Sequence, residues 1–330
     1  MGKIGIEKLV IIGPSFFNYL DAIKEEIIKI GVDTEYIIET GKVDFFTKAI
    51  FASPILSKIF SLYIKKRHEE ILNACIKKGA SQVLFISPKS MSNYLLDELK
   101  ENNIKVYLYM WDSFDNQPAS IDFLKKFDKC ASFDPVDVNK FNMKQINLFA
   151  EEIYFGGNNK RNKDFVFVGT AHSIRPLIIE KLLKKYPERY FNNFIHLYRG
   201  NAYYFLKALI QIRFRKFNIF SKDSISKEII ATQFKESKYV LDITHPDQNG
   251  LTSRSFEAIA SGAILVTNNK NAKEVLNLFK DRIIEYQNVE CINVDENSFS
   301  EMKANEKELY ELSLNRFCYE IINLVNTRYE

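Results

Sequence analysis

The sequence predicts an α/β protein built on two parallel sheets, each covered on both faces by helices. Three observations carry that expectation. Continuous apolar runs alternate with amphipathic segments along the chain, which is how doubly buried strands and their crossover helices read. The alternation stops at a polar stretch, GGNNKRNKD (156–164), and then restarts. The length, 330 residues, suits two domains of ordinary size.

Taken in order, KLVIIG (8–13) reads as a buried strand, and FFNYLDAIKEEIIKIG as a helix closed by Gly31. VDTEYII (32–38) is a second strand. RHEEILNACIKKG (67–79) is a helix ending in glycine, and QVLFIS (82–87) a strand. MSNYLLDELKENN leads into the strand KVYLYM (105–110), and KCASFD (129–134) is another, with a helix starting near Pro135. In the second half, FVFVG (165–169), FIHLY (194–198), YVLDI (239–243) and AILVT (263–267) are strands, with RIIEY and ECINV as shorter ones. RPLIIEKLLKKYPE (175–188) is a helix with proline at its start, and a helix near 305–327 ends the chain. The expected domains are 1–155 and 165–330, joined by the linker 156–164, with the last helix a candidate to pack back on the first domain. No internal sequence repeat relates the halves.

Composition excludes several classes. The chain is 46% hydrophobic and 14% aromatic, enough for real cores and unlike a disordered segment. A net charge of +4 is too small a basic excess to argue for nucleic acid. Cys75, Cys130, Cys291 and Cys318 are far apart and have no histidine at ligand spacing. They read as reduced structural thiols of a cytosolic protein, without a disulfide framework or zinc site. LVIIG near the N-terminus reads as a strand rather than a signal peptide. No apolar run reaches the roughly 18 to 20 residues of a spanning helix, so the expectation is a soluble protein, at most peripheral on the inner face of a membrane. Two segments break the alternation, FFTKAIFASPILSKIFSLYIKKRH (45–68) and YYFLKALIQIRFRKFNIFSK (203–222). Each is either an ordinary amphipathic helix packed on its own domain or a basic, aromatic face for an anionic membrane.

HPDQNGLTSRSFEAIASG (245–262) lies between two strands, beyond a strand's carboxyl end, where open α/β sheets bind ligands. Gly250 lets backbone approach a ligand. Thr252 or Ser253 can cap the helix, whose N–H groups attract an anion. Arg254 in the first turn runs against the helix dipole, so its forked cation points to a negative ligand such as phosphate. Glu257 stands one turn on, beside the buried positions Phe256, Ile259 and Ala260, and is placed for a ribose hydroxyl pair. A phosphate cradle with a sugar-binding acid describes a nucleotide site. A capped helix with Arg254 and Glu257 in surface pairs is the structural alternative. His245 either ends its strand before Pro246 or donates to a phosphate or sugar oxygen.

SRSFEAIASGAILVTNN resembles the donor-site segment of GT-B glycosyltransferases, and FVGTAHSIRP is similar to the first strand and turn of their C-terminal domain. LDITHPDQNGLTSRSFEA and YMWDSFD together resemble bacterial glycosyltransferases of lipopolysaccharide, capsule and other surface-polysaccharide biosynthesis. The resemblance implies two Rossmann-like domains facing a cleft, with a nucleotide sugar held by the C-terminal domain and a glycan or lipid-linked glycan acceptor by the N-terminal one. It assigns the diphosphate loop to Gly250, Leu251, Thr252, Ser253 and Arg254, and the ribose to Glu257. No metal or other cofactor and no nucleic acid is expected, since helix dipole and basic residues take the leaving group's charge. Many retaining members carry a further glutamate where this chain has Asn249, which leaves retention or inversion open. His245 and Gln248 reach toward the donor, and His172 or Arg175 in GTAHSIRP could meet its phosphates. In MWDSFDNQP (110–118), Asp112 is the candidate base, with His245 beside it among the catalytic candidates, and Trp111 could stack on a sugar. Asp112 capping a turn, with Trp111 packed, is the alternative. Ser15 lies in an acceptor-side turn. A sugar-nucleotide epimerase or hydrolase, and a non-catalytic nucleotide-binding partner subunit, remain as alternatives.

Overall fold

In the computed structural model the described residues are 6–14, 18–41, 54–156, 160–171, 174–187, 192–198, 220–245, 248–294, 299–301 and 304–326. The first sheet contains β1 (Leu9–Gly13), β2 (Thr34–Ile38), β3 (Gln82–Ile86), β4 (Lys105–Met110), β5 (Lys129–Ser132) and β6 (Lys144–Gln145). Their order is β2-β1-β3-β4-β5-β6, all parallel. The second contains β7 (Lys163–Thr170), β8 (Phe194–Tyr198), β9 (Phe220–Ser221), β10 (Ser237–Asp242), β11 (Ile264–Thr267) and β12 (Ile283–Glu285). Their order is β12-β11-β10-β7-β8-β9, again all parallel. Helices α1 (Tyr19–Ile30), α2 (Pro54–Ile59), α3 (Ser61–Lys77), α4 (Asn93–Glu101) and α5 (Pro135–Phe141) accompany the first sheet. The second is accompanied by α6 (Arg175–Lys185), α7 (Lys227–Lys235), α8 (Ser253–Ala260), α9 (Ala272–Val275) and α10 (Glu306–Tyr310), and α11 (Leu314–Val325) follows.

The apolar runs became the doubly buried strands they suggested: every residue of β1 and of β3 is buried. Helix α1 buries Leu20, Ile23 and Ile27 along one stripe. It stops at Gly31, whose φ of 103° is open to glycine at little cost. The amides of Gly31 and Val32 return to the Ile28 and Ile27 carbonyls at 2.9 and 3.2 Å, closing the helix end.

Three local differences have physical reasons. ECINV, expected as a strand, starts in a 3₁₀ turn (Val289–Cys291), because the Asn288 side chain accepts the Cys291 amide and bends the chain. Strands β6 and β9 have two residues each, too few for a period-two pattern to show. The chain divides into two compact units, Met1–Asn147 with Leu314–Glu330, and Leu148–Ser313. That division falls ahead of the stretch 156–164. Leu148, Phe149, Ala150 and Tyr154 are already buried, the Ala150 amide donates to the Leu312 carbonyl at 2.7 Å, and the Tyr154 ring tilts against Phe234 at 5.8 Å. Helix α11 belongs to the first unit. Its fully buried Phe317 meets Tyr109 edge-on at 5.3 Å, and Asn315 donates to Glu26 of α1 at 2.6 Å.

Candidate functional site

In the second unit the sheet grows from β7 through β8 to β9 on one side and through β10, β11 and β12 on the other. The order therefore reverses between β7 and β10, and a crevice beyond the carboxyl ends of such a strand pair is where an open α/β sheet receives a ligand. Gly169 and Thr170 end β7 there, Asp242 ends β10, and α8 begins nearby in the chain.

Asp242 organises this point. It is wholly buried and accepts three hydrogen bonds: from Thr252 Oγ1 at 2.8 Å, Arg254 Nη1 at 2.9 Å and Ser255 Oγ at 2.6 Å. A buried carboxylate is tolerable when it is paired and hydrogen-bonded in this way. The finding corrects one inference from sequence. The anion that offsets Arg254 at the helix start comes from inside the fold, not solely from a ligand. It also reassigns Thr252, which stands at the N-cap with extended backbone but makes no side-chain cap, since its hydroxyl is turned to Asp242.

A second guanidinium stands close by. Arg175, at the start of α6, donates Nε to the Ile243 carbonyl at 3.0 Å and Nη1 to the Thr170 carbonyl at 3.5 Å. Both guanidinium carbons lie over the Phe167 ring, at 5.3 Å for Arg254 and 5.9 Å for Arg175. Burial, then repulsion from Arg254, pulls Arg175 down to about 9, against the pull of Asp242. Two guanidinia thus share one carboxylate at the switch point. Two guanidinia beside the N–H groups at the start of α8 are donors of the kind a phosphate-bearing ligand takes. Gly169 is needed for this packing. A Cβ there would come within 2.9 Å of Phe167 Cζ and 3.3 Å of Arg254 Nη2.

Glu257 is buried one turn into α8. It hydrogen-bonds the hydroxyl of buried Tyr154, whose ionisation is pushed far up by burial first and by the carboxylates of Glu257 and Glu151 next. The loop ahead of α8 is pinned from the residues after β11. Asn269 Nδ2 donates to the carbonyls of Asn249 and Gly250 at 3.0 and 3.2 Å. Asn271 Nδ2 donates to Asn249 at 3.1 Å, and Asn268 Oδ1 accepts the Thr244 amide at 2.8 Å. Gln248 Nε2 donates to the Gly250 carbonyl at 3.2 Å, and the Gln248 amide to the His245 carbonyl at 3.1 Å. Leu251 is buried, so it offers a ligand backbone rather than side chain. His245, Gln248, Asn249, Gly250, Thr252, Ser253, Arg254, Glu257 and Arg175 all fall within this one unit. His172 and Ser15 lie outside the described residues. Sequence reasoning missed Asp242, Phe167, Tyr154 and the asparagines Asn268, Asn269 and Asn271. The repeated asparagine in TNNKN, directly after a strand, was the available signal.

In the first unit the order reverses between β1 and β3. Ser87, with an unusual φ of 39°, follows β3 and accepts the Trp111 and Asp112 amides at 2.8 and 3.2 Å, so it shapes the loop after β4. Trp111 also packs edge-on against Tyr19 at 6.4 Å. Asp112 is exposed as a residue, yet the protein around its carboxyl raises it above the ordinary carboxylate range, with Lys89 opposing. Elsewhere in the same unit, the buried Glu39 carboxylate accepts the Lys89 and Ser90 amides at 2.9 and 2.7 Å and is raised by burial to about 7. Buried His68 meets Ser92 Oγ at 2.9 Å and Ser90 Oγ at 3.4 Å and is lowered by burial to about 4. Among the described residues no group of three or more His, Cys, Asp or Glu could hold a metal ion.

The profile of a glycosyl transferase-like family matches residues 175–295, which contain α6, Asp242 and α8. No curated protein matches in sequence. Among solved structures, a glycosyltransferase from Rickettsia africae superposes with a TM-score of 0.56 at 12% identity, over 98% of this chain and 95% of that one. The UDP-bound MnaA of S. aureus gives 0.55 at 12%, over 96% and 95%. The UDP-GlcNAc 2-epimerase of Methanocaldococcus jannaschii, in complex with UDP-GlcNAc and UDP, gives 0.53 at 12%, over 96% and 100%. The fold is GT-B, the architecture of glycosyltransferases and sugar-nucleotide epimerases.

Proposed function

We propose that the protein is a glycosyltransferase that moves one sugar from a nucleotide donor to a hydroxyl of a bacterial surface glycan, with no metal in the step. The observation that carries this is the pair Arg175, at the start of α6, and Arg254, in the first turn of α8, gathered over the Phe167 ring of β7. Transfer breaks the bond between the anomeric carbon and the diphosphate, so negative charge builds on the leaving oxygen. Preorganised guanidinia and helix N–H groups stabilise that charge where it forms. Glu257, its carboxylate steadied by Tyr154, takes the ribose hydroxyls. His245 and Gln248 serve the donor sugar, and Asp112 takes the acceptor proton. Its raised affinity for protons suits a base that must accept one at neutral pH. Localisation is proposed as cytoplasmic, with the acceptor lipid-linked.

The test is nucleoside diphosphate release from a panel of sugar nucleotides, with and without glycan acceptors and a chelator. Acceptor-dependent release that ignores the chelator and falls in Asp112→Asn supports the reading. A second reading rests on the full-length likeness to UDP-GlcNAc 2-epimerases. Sugar-nucleotide conversion without any acceptor would select it and refute transfer.

A further inference from the structure

We propose that α2 and the start of α3 form a docking face for the surface of an anionic lipid bilayer. The inference goes beyond the sugar-transfer reading and does not depend on the donor site.

The two helices run almost without a break. The Phe60 amide donates to the Leu56 carbonyl at 2.8 Å and the Ile64 amide to the Phe60 carbonyl at 3.1 Å. At about 100° per residue, two apolar faces result. The inner face packs on the unit: Ile64 is 8% exposed with Phe60 against it, His68 is buried, and Arg67 donates to the Ile38 and Glu39 carbonyls. On the opposite side Ile55, Ile59 and Leu62, spaced i, i+4 and i+7, are 73%, 67% and 82% exposed, with Tyr63 beside them. A helix on a soluble protein turns its polar residues outward. This one presents a second apolar stripe, and no other helix among the described residues exposes three large aliphatic side chains in this way.

Charge selects the partner. Exposed Lys58, Lys65 and Lys66 border the stripe, and no Asp or Glu occurs between residues 54 and 68. A second copy docking by the same face would set lysine against lysine, because a two-fold contact is self-complementary. Anionic headgroups pair with the lysines while the stripe enters the acyl boundary, the arrangement of a helix lying in the membrane plane. No described helix is long and apolar enough to cross a membrane, so contact at this face is peripheral.

The test is co-sedimentation of the full chain with vesicles of phosphatidylcholine, alone or mixed with phosphatidylglycerol. Binding is expected to the mixed vesicles and to weaken with salt. Lys58→Gln/Lys65→Gln/Lys66→Gln should lose affinity on the order of a hundredfold, roughly fivefold per lysine. Ile55→Gln/Ile59→Gln/Leu62→Gln should lose binding at any salt while its melting temperature stays within about 2 °C of wild type, since all three positions are exposed. The proposal is overturned by absent binding to mixed vesicles or by binding that neither variant changes. It is also overturned by a wild-type dimer in sedimentation velocity that the Ile/Leu variant dissolves, or by a large fall in melting temperature showing that the chain itself covers the face.

Discussion

Replacing Arg254 by methionine would leave the Asp242 carboxylate with its two hydroxyl donors, Thr252 and Ser255, and take away the cation hydrogen-bonded to it, with Arg175 still nearby. Breaking a buried ion pair from one side costs about 3–5 kcal/mol, because the remaining charge stays desolvated. Arg254 keeps 17% of its side chain exposed and the hydroxyls persist, so the lower end, about 3 kcal/mol, applies. Asp242→Asn/Arg254→Met removes the stranded charge while keeping an acceptor for the hydroxyls, and should recover about 2 kcal/mol of the loss. Trp111, the only tryptophan, belongs to the first unit, so its fluorescence is the wrong probe. Hydrogen exchange of peptides from β10 and α8, together with urea denaturation by circular dichroism, reads the affected unit. A loss below about 1 kcal/mol in Arg254→Met, or a double variant no more stable than the single, would refute the view that Asp242 anchors the site through Arg254.

Three further outcomes are expected. Burial raises Glu39 to about 7, so its contribution to stability is lost as pH rises from the ordinary carboxylate range through 7; burial lowers His68 to about 4, so its contribution is lost as pH falls from 6.5 through 4. The two slopes oppose each other between about pH 4.5 and 6.5. Melting temperature should therefore be flat there in wild type, fall with rising pH in His68→Asn and fall with falling pH in Glu39→Gln; equal profiles in all three would contradict this. Gly169→Ala pushes a methyl against the fully buried Phe167 and should cost about 1–3 kcal/mol in urea denaturation while also weakening nucleotide binding; an unchanged variant would show the contact is loose. Phe317→Ala empties the contact of α11 with Tyr109 and should cost about 3–5 kcal/mol, read as an earlier loss of Trp111 fluorescence from the first unit.

The fold was legible because its strands are buried on both faces and its helices on one, so hydrophobic period alone separates them. Gly31 and the restart after residue 164 were visible for the same reason: both interrupt a period. Shorter features were not. Two residues of β6 or β9 carry no pattern, and Asn288 turned an apolar run into a 3₁₀ turn through one side-chain hydrogen bond. Of the site, Arg254, Arg175 and Glu257 stood out as charges at helix starts or beside a buried face. Asp242 did not, because it sits inside the apolar run YVLDI and reads as part of that strand. Its role depends on the fold bringing β10 back to residues ten to thirteen positions on, Thr252, Arg254 and Ser255. Phe167 was hidden likewise, as an ordinary core aromatic.

The central claim, that the β7–β10 switch point is a nucleotide site built on Arg175 and Arg254, is tested most directly by isothermal titration of UDP, GDP, dTDP, ADP and CMP into wild type and Asp242→Asn/Arg254→Met. The account expects one nucleotide to bind wild type and to bind the double variant about 10- to 100-fold more weakly, the worth of a hydrogen bond to a charged group. No binding by any of the five, or equal affinity in both proteins, would contradict it.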